Sequence, residues 1–348
     1  MTNTPKAYVA RKLPLEPFTV EQLPLISRLQ LIGYHRYKNR WAKRFGKKLG
    51  RMTFDIAYNC LKLSGQGRVS ANFTNERRRF EFDARKLHFS RLFDNECGNV
   101  CEPELATLLE TFLTADKVFY DIGANWGYFS LYAAALPNYN GPIHAFEPIE
   151  ETFADLRSWV AQTGKNDRVT CHNLALSDSD GTAQMGVVPD NSGLASLARA
   201  RDTDSEKRDV RTCRLDGFKL PEPDFIKLDV EGFEPEVIQG GHSVLTSKKP
   251  MMMFENWIIK DDAARTLLPM QTLLNYGFAL FTPAWWIGPP TNEIFHSGPY
   301  QGFPTGPKLM AYVPFDIEKR FELPDQVNFF CCHKERLSEL EGLFDVLD

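Results

Sequence analysis

Three carboxylates in this chain each end an apolar run. Asp121 closes Val118-Phe119-Tyr120-Asp121, and Gly123, Asn125 and Gly127 follow before a helical pattern starts. Glu147 closes Ile143-His144-Ala145-Phe146-Glu147, and Pro148 stops the strand behind it. Asp229 closes Phe225-Ile226-Lys227-Leu228-Asp229, with Glu231, Gly232 and Glu234 next. A strand, a tight glycine loop and a helix N-terminus offer free N–H groups to a nucleotide-like ligand. Here the spacing is Asp-x-Gly-x-x-x-Gly, so the acid precedes the glycines at the strand's carboxyl end. A dinucleotide's pyrophosphate would be repelled there, whereas an ammonium or a sulfonium would be attracted. S-adenosyl-L-methionine carries both.

On that reading Gly123 and Gly127 let backbone approach the ligand, and Asn125 binds the methionine carboxylate or holds the loop. Glu147, twenty residues after Gly127, accepts hydrogen bonds from the ribose hydroxyls, and Pro148 turns the chain beside it. Asn173 and Leu174, at the end of the third strand, reach the rim and face of the adenine. By alternation Lys227 and Asp229 share one face of the fourth strand. Two charges in a parallel strand are costly unless paired or functional, and Asp229 lies where open α/β sheets bind ligands. Structural alternatives stand beside these roles: glycines that only pack a strand–helix turn, an Asx-turn at Asn173, and an ion-pair network at Lys227–Glu234 that caps the next helix.

The elements that must position these groups alternate. Helices are expected over 104–113, 126–135, 150–162, 235–245 and 262–275. Strands are expected over 117–121, 142–147, 168–174, 224–229, 251–255, 278–281 and 326–332. Such alternation implies an α/β fold with a mostly parallel sheet covered on both faces. Residues 52–92 read as short strands, with alternation in Arg79-Phe80-Glu81-Phe82. The charged stretch 190–208 reads as a mobile loop or lid, 283–310 as a long irregular loop, and 1–22 as loosely ordered.

The quoted motifs also carry a family likeness. Asp121-Ile122-Gly123-Ala124-Asn125 with Gly127, Phe146-Glu147-Pro148, Asn173 with Ala175-Leu176-Ser177-Asp178 and Gly181, Leu215-Asp216, and Lys227-Leu228-Asp229-Val230-Glu231-Gly232 with Glu234 resemble the FkbM family of S-adenosylmethionine-dependent methyltransferases. Glu255 sits where that family often has a strand-end glutamate. The likeness covers about residues 100–256 and implies a Rossmann-like class I fold with a seven-stranded sheet. An N-terminal helical and β extension (1–75) would precede a methyltransferase domain (76–348). The resemblance further implies O-methylation of a hydroxyl on a sugar, glycan or other small-molecule acceptor. The hydroxyl's proton then needs a base: Asp229 first, unless it binds the methionine amine, and Glu231 second, with His242 the nearest histidine in sequence. The rival readings are a nicotinamide-dependent oxidoreductase and a cofactor-binding scaffold without turnover.

The formal net charge of −4 argues against a general nucleic-acid binder. It hides an asymmetry, since residues 1–50 hold eleven Lys/Arg against two Glu. Within 34–51, Tyr34, Tyr37, Trp41, Phe45 and Leu49 recur at helical spacing among Arg36, Lys38, Arg40, Lys43, Arg44, Lys47 and Lys48. This stripe is expected either to pack on the main domain or to touch an anionic surface. The seven cysteines form no Cys-x-x-Cys, and Cys97-x-x-x-Cys101 lacks a second ligand pair. Free thiols, a cytoplasmic setting and no metal are therefore expected. Neither a signal-peptide core nor a membrane-spanning apolar run is found.

Overall fold

The computed structural model describes residues 4–24, 55–73, 76–86, 101–188, 191–196, 206–296 and 308–347, with Met52, Phe89 and Leu92. Two compact units emerge, one of Met1–Leu15 with Glu102–Asp348 and one of Glu16–Cys101. The boundary expected at 75/76 falls inside the smaller unit, between two strands of a hairpin. The basic stripe 34–51 lies outside the described residues.

Strand β1 (Ala7–Val9) belongs to the larger unit. In the smaller unit, β2 (Phe18–Gln22), β3 (Gln66–Phe73) and β4 (Glu76–Asp83) form an antiparallel sheet. The alternation around Phe80 and Phe82 is realised, for both rings are buried while Arg79 and Glu81 face out. Phe82 needs Gly67 opposite, since a Cβ there would meet its ring at 2.3 Å.

The chain then runs through α1 (Pro103–Phe112), β5 (Phe119–Ile122), α2 (Tyr128–Ala135), β6 (Ile143–Phe146), α3 (Glu150–Thr163) and β7 (Val169–His172). Next come β8 (Ala175–Ser177), β9 (Gly181–Val188), β10 (Asn191–Ser196) and β11 (Glu206–Arg214), which form a four-stranded sheet of their own. They are followed by β12 (Phe225–Leu228), α4 (Glu234–Gly240), α5 (His242–Ser247), β13 (Met251–Trp257) and α6 (Ala263–Asn275). Last are β14 (Phe278–Ile287), β15 (Glu293–His296), β16 (Leu309–Pro314), β17 (Gln326–His333), α7 (Leu337–Leu343) and β18 (Asp345–Leu347).

Among the described residues the main sheet has eleven strands, in the order β18-β1-β16-β14-β17-β13-β12-β5-β6-β7, with β15 on β14. Strands β7, β6, β5, β12 and β13 are parallel, and β17 enters antiparallel. Every residue of β5, β6 and β12 is buried, as a sheet covered on both faces requires. From β5 the chain crosses to β6 on one side, while β12 lies on the other. That reversal opens a crevice at the carboxyl ends of β5 and β12.

Several expectations are corrected. Tyr8 and Val9, read as loosely ordered, are buried between β16 and β18. The ends of the expected lid are strands β10 and β11; 197–205 lie outside the described residues. In β11 only alternate positions turn inward, around Val210, and the surrounding charges hide that pattern. The described part of 283–310 is a hairpin, because β14 runs on to Ile287 and pairs with β15. The helix expected over 235–245 is two helices, broken at Gly240–Gly241. A Cβ on Gly240 would meet Ser177 O at 1.9 Å, and Asp216 caps the second helix through the amides of Ser243 and Val244.

On the face of β6 and β7 away from Asp121, His144 Nδ1 lies 3.1 Å from His172 Nε2, and His172 stacks on Phe146. One proton serves both nitrogens. Burial lowers both imidazoles, with His144 also opposing His172, which falls to about 4. A group depressed in the folded state contributes stability that is present above its unfolded value, here 6.5, and is lost as pH falls toward 4. Urea midpoints should therefore fall more steeply for the wild type than for His172→Phe between these limits. Parallel curves would show that the pair does not govern this window.

Candidate active site

Asp121 is fully buried at the end of β5. Its Oδ2 accepts a hydrogen bond from Ser130 Oγ of α2 at 2.7 Å, and its Oδ1 faces Lys227 Nζ at 3.4 Å. Lys227, only 5% exposed, donates to Gly123 O at 2.7 Å and lies 3.5 Å from Asp229 Oδ2. In-register pairing of Asp121 with Lys227 puts these groups on one face. One ammonium thus ties the β5 carboxylate, the glycine loop and the β12 carboxylate together.

The loop after β5 is left-handed at Gly123 (φ 76°), Asn125 (φ 52°) and Gly127 (φ 93°). A Cβ on Gly123 would stand 1.8 Å from Asp229 O, so this glycine exists for close backbone approach. Asn125 Oδ1 accepts from Trp126 N at 2.9 Å, which folds the loop on itself. Trp126 is buried edge-on against Trp159 of α3, 4.8 Å between rings. Helix α2 opens at Gly127 with no side chain capping it, and the positive end of its dipole faces the loop.

Glu147 reaches across to this loop. Its Oε2 accepts from Asn125 N at 3.1 Å and its Oε1 from Ile149 N at 2.9 Å. Burial pushes its carboxyl up to about 7, against two amide bonds that favour the charged form. A carboxylate has about four acceptor positions, so capacity for hydroxyl donors remains. Asn173 is exposed, and its amide donates to Glu147 O and Pro148 O at 3.2 and 3.3 Å, bracing that turn. Leu174 is buried in the core with Phe146, Leu176 and Leu215.

Beyond β12, Glu231 (φ 56°) and Gly232 (φ 93°) make a second left-handed turn. Glu234 Oε1 holds it by accepting from Val230 N at 3.1 Å and Gly232 N at 3.2 Å. Burial, with Asp229 adding, pushes Glu234 up to about 7. Glu255, at the end of β13, accepts from Trp257 Nε1 at 2.6 Å and from Gln326 Nε2. Carboxylate oxygens of Asp229, Glu231 and Glu255 all lie within 4.8 Å of one another. Under Asn256 a buried Arg320 donates to Asn256 O, Pro324 O and Asp325 O, each at 2.9 Å, which locks the end of β13. His242 is exposed and packs on Tyr276, 4.8 Å between rings.

The structure thus links Asp121, Gly123 and Asp229 through Lys227, sets Glu147 against Asn125, Glu231 beside Asp229 and Asn173 against the Glu147–Pro148 turn, and buries Leu174, expected on the adenine face, in the core. Sequence reasoning left Lys227 and Glu234 between an ion-pair network and a functional role, took Glu255 only as a strand-end acid of the family, and missed Ser130. Glu255 had a signal, because it too ends an apolar run, Met251-Met252-Met253-Phe254. Ser130 had none. The donor set suits a ligand with a positive centre and vicinal hydroxyls, since carboxylates supply attraction and acceptors while α2 supplies amides.

The parallel half of the sheet, with its switch point and strand-end acids, is a Rossmann-like arrangement. Residues 121–278 match the methyltransferase FkbM domain. The chain is similar to the FkbM methyltransferase of Methylobacillus flagellatus KT (14% identity, 82% of this chain and 76% of that one, TM-score 0.37). It is also similar to the precorrin-6y C5,15-methyltransferase of Geobacter metallireducens GS-15 (16% identity, 67% and 89%, TM-score 0.35). A third likeness is to a SAM-dependent O-methyltransferase of Thermotoga maritima (12% identity, 74% and 81%, TM-score 0.34). No curated protein matches the chain.

Proposed function

We propose that the protein uses S-adenosyl-L-methionine to methylate a hydroxyl of a sugar, glycan or other small-molecule acceptor. The observation that carries this reading is the convergence of Asp121, Glu147 and Asp229 on the Gly123–Gly127 loop. Bound there, the cofactor supplies an electrophilic methyl group. Asp229 holds the methionine ammonium, Asn125 and the first amides of α2 take its carboxylate, Glu147 accepts from the ribose hydroxyls, and Asn173 keeps the Glu147–Pro148 turn in place. Holding the acceptor in line with the methyl group supplies much of the rate. A polyol acceptor is supported by Glu255, which lies beside Asp229 and accepts from Gln326, and by its register partner Asn328, which donates to Glu104.

Calorimetry with S-adenosylmethionine, S-adenosylhomocysteine and NAD tests the reading. Both sulfur ligands should bind and NAD should not. Glu147→Ala should weaken S-adenosylhomocysteine by ~1.5–3 kcal/mol through loss of charge-assisted hydrogen bonds. Unchanged affinity would remove Glu147 from the ribose site.

The free thiols Cys60, Cys101, Cys171, Cys213, Cys331 and Cys332 support a reducing, cytoplasmic setting. No helix among the described residues is long and apolar enough to cross a membrane. Contact of residues 34–51 with an anionic surface, and no nucleic-acid partner, complete the proposal. Binding to phosphatidylserine vesicles should fall with salt and vanish when Lys43, Arg44, Lys47 and Lys48 become Glu. A wild type that ignores such vesicles at low salt would leave the stripe a packing surface.

A further inference from the structure

Glu255 has no part in the cofactor contacts just assigned, yet it is the carboxylate of this crevice least suited to carry a lone charge. It is 6% exposed. Its hydrogen-bond donors, the Trp257 indole and the Gln326 amide, are neutral. The groups that face it are acidic: Asp229 and Glu231 from the turn after β12, and Glu102 ahead of α1. Lys227, the nearby ammonium, is directed to Asp121, Gly123 and Asp229. Asn328, the register partner of Glu255 on β17, turns its amide to Glu104. Three carboxyl groups within 4.8 Å in partly dry surroundings oppose one another's ionisation, and the most buried keeps the proton. Burial first, then Asp229 and Glu231, raise Glu255 well above the carboxylate range.

We propose that entry of a sulfonium-bearing cofactor drives the proton off Glu255, and that the carboxylate so formed takes the hydroxyl proton of the acceptor. This rests on the cofactor reading above. Glu255, held neutral by Asp229 and Glu231, would lose its proton to solvent once a sulfonium charge were added beside the cluster to the ammonium that Asp229 holds. In the transfer step Glu255 accepts the hydroxyl proton as the oxygen–carbon bond forms and the carbon–sulfur bond breaks, its electron pair staying on sulfur. The thioether product is neutral at sulfur and Glu255 is again neutral, so the charge of the site is the same before and after the step. Exchange of product for fresh cofactor expels the proton and resets the base. Asp229, already ion-paired with Lys227, is left to hold the methionine ammonium.

The two ligands differ at sulfur by one charge, so the full-length protein can be tested without an acceptor. Calorimetry at pH 7 in buffers of different ionisation enthalpy counts protons. S-adenosylmethionine should release more protons than S-adenosylhomocysteine, by up to about one, because both bring the ammonium that Asp229 holds and only the first adds a sulfonium charge beside the cluster. Glu255→Gln should abolish that difference and leave S-adenosylhomocysteine affinity within about threefold, because the cofactor contacts lie elsewhere. Should that variant fail to fold, Trp257→Phe removes one donor to the charged form and should raise the pH of half-release. Equal proton counts in the wild type, a difference that survives in Glu255→Gln, or no change in Trp257→Phe would overturn the inference while the cofactor reading stands. Binding of neither sulfur ligand would overturn both. On any methyl hexoside that the wild type methylates, Glu255→Gln should lower kcat by about 10²–10⁴-fold; retention of more than a tenth would overturn the base assignment.

Discussion

Lys227→Met is expected to lower the unfolding free energy by ~3–5 kcal/mol, because it strands buried charge rather than removing a contact. Methionine keeps most of the aliphatic stem, so packing changes little. Asp121 loses its neighbouring cation while fully buried, and its Oδ1 has no hydrogen bond to fall back on. Gly123 O loses its donor as well. Adding Asp121→Asn to Lys227→Met should recover a large share, since a neutral amide in the same place carries no unpaired charge. The cycle of two single variants and the double, read by urea denaturation, isolates the coupling. Additive effects would mean that the two side chains do not depend on each other.

Gly123→Ala should be nearly as damaging, and for a backbone reason. The residue sits at φ 76°, and its added Cβ would meet Asp229 O at 1.8 Å. The turns after β5 and β12 would have to part, which would carry Asp229 away from the Lys227 ammonium. A stability loss of ~2–4 kcal/mol is expected from the strained φ and the clash combined. S-adenosylhomocysteine affinity should fall by at least ~100-fold, because the loop amides and Asp229 are displaced together. Gly217→Ala is the matched control, as its Cβ would meet nothing closer than Asp180 Oδ1 at 3.7 Å. That variant should unfold within ~0.5 kcal/mol of the wild type. Equal behaviour of the two would mean that the approach of the two turns is not needed for binding.

Both substitutions act at residues that play different parts in the sequence and in the fold. The strands that end at Asp121, Glu147 and Asp229 were legible because fully buried parallel strands are short apolar runs, and a charge ends such a run abruptly. The left-handed glycines were legible for a related reason, since only a few residue types tolerate that backbone. Local chemistry therefore determined that this chain makes an α/β sheet with a parallel core and acids at the carboxyl ends of its strands.

The partners of those acids were decided only by tertiary structure. Lys227 reads as a charge in need of a partner, and that partner is named only when β12 is laid in register against β5, where Lys227 spans Asp121 and Gly123. Glu255 reads as one more strand end until Gln326, seventy-one positions away, donates to it and Asp229 and Glu231 crowd it. Tyr8 and Val9 carry too short a pattern to announce a strand, yet they pair with β16 and β18 from the far end of the chain. Even the break at Gly240–Gly241 depends on how closely α4 approaches Ser177. Periodicity records which face of an element is buried, because that is a property of neighbouring residues. Which distant backbone or charge meets that face depends on register and crossover, and sequence spacing holds no trace of either.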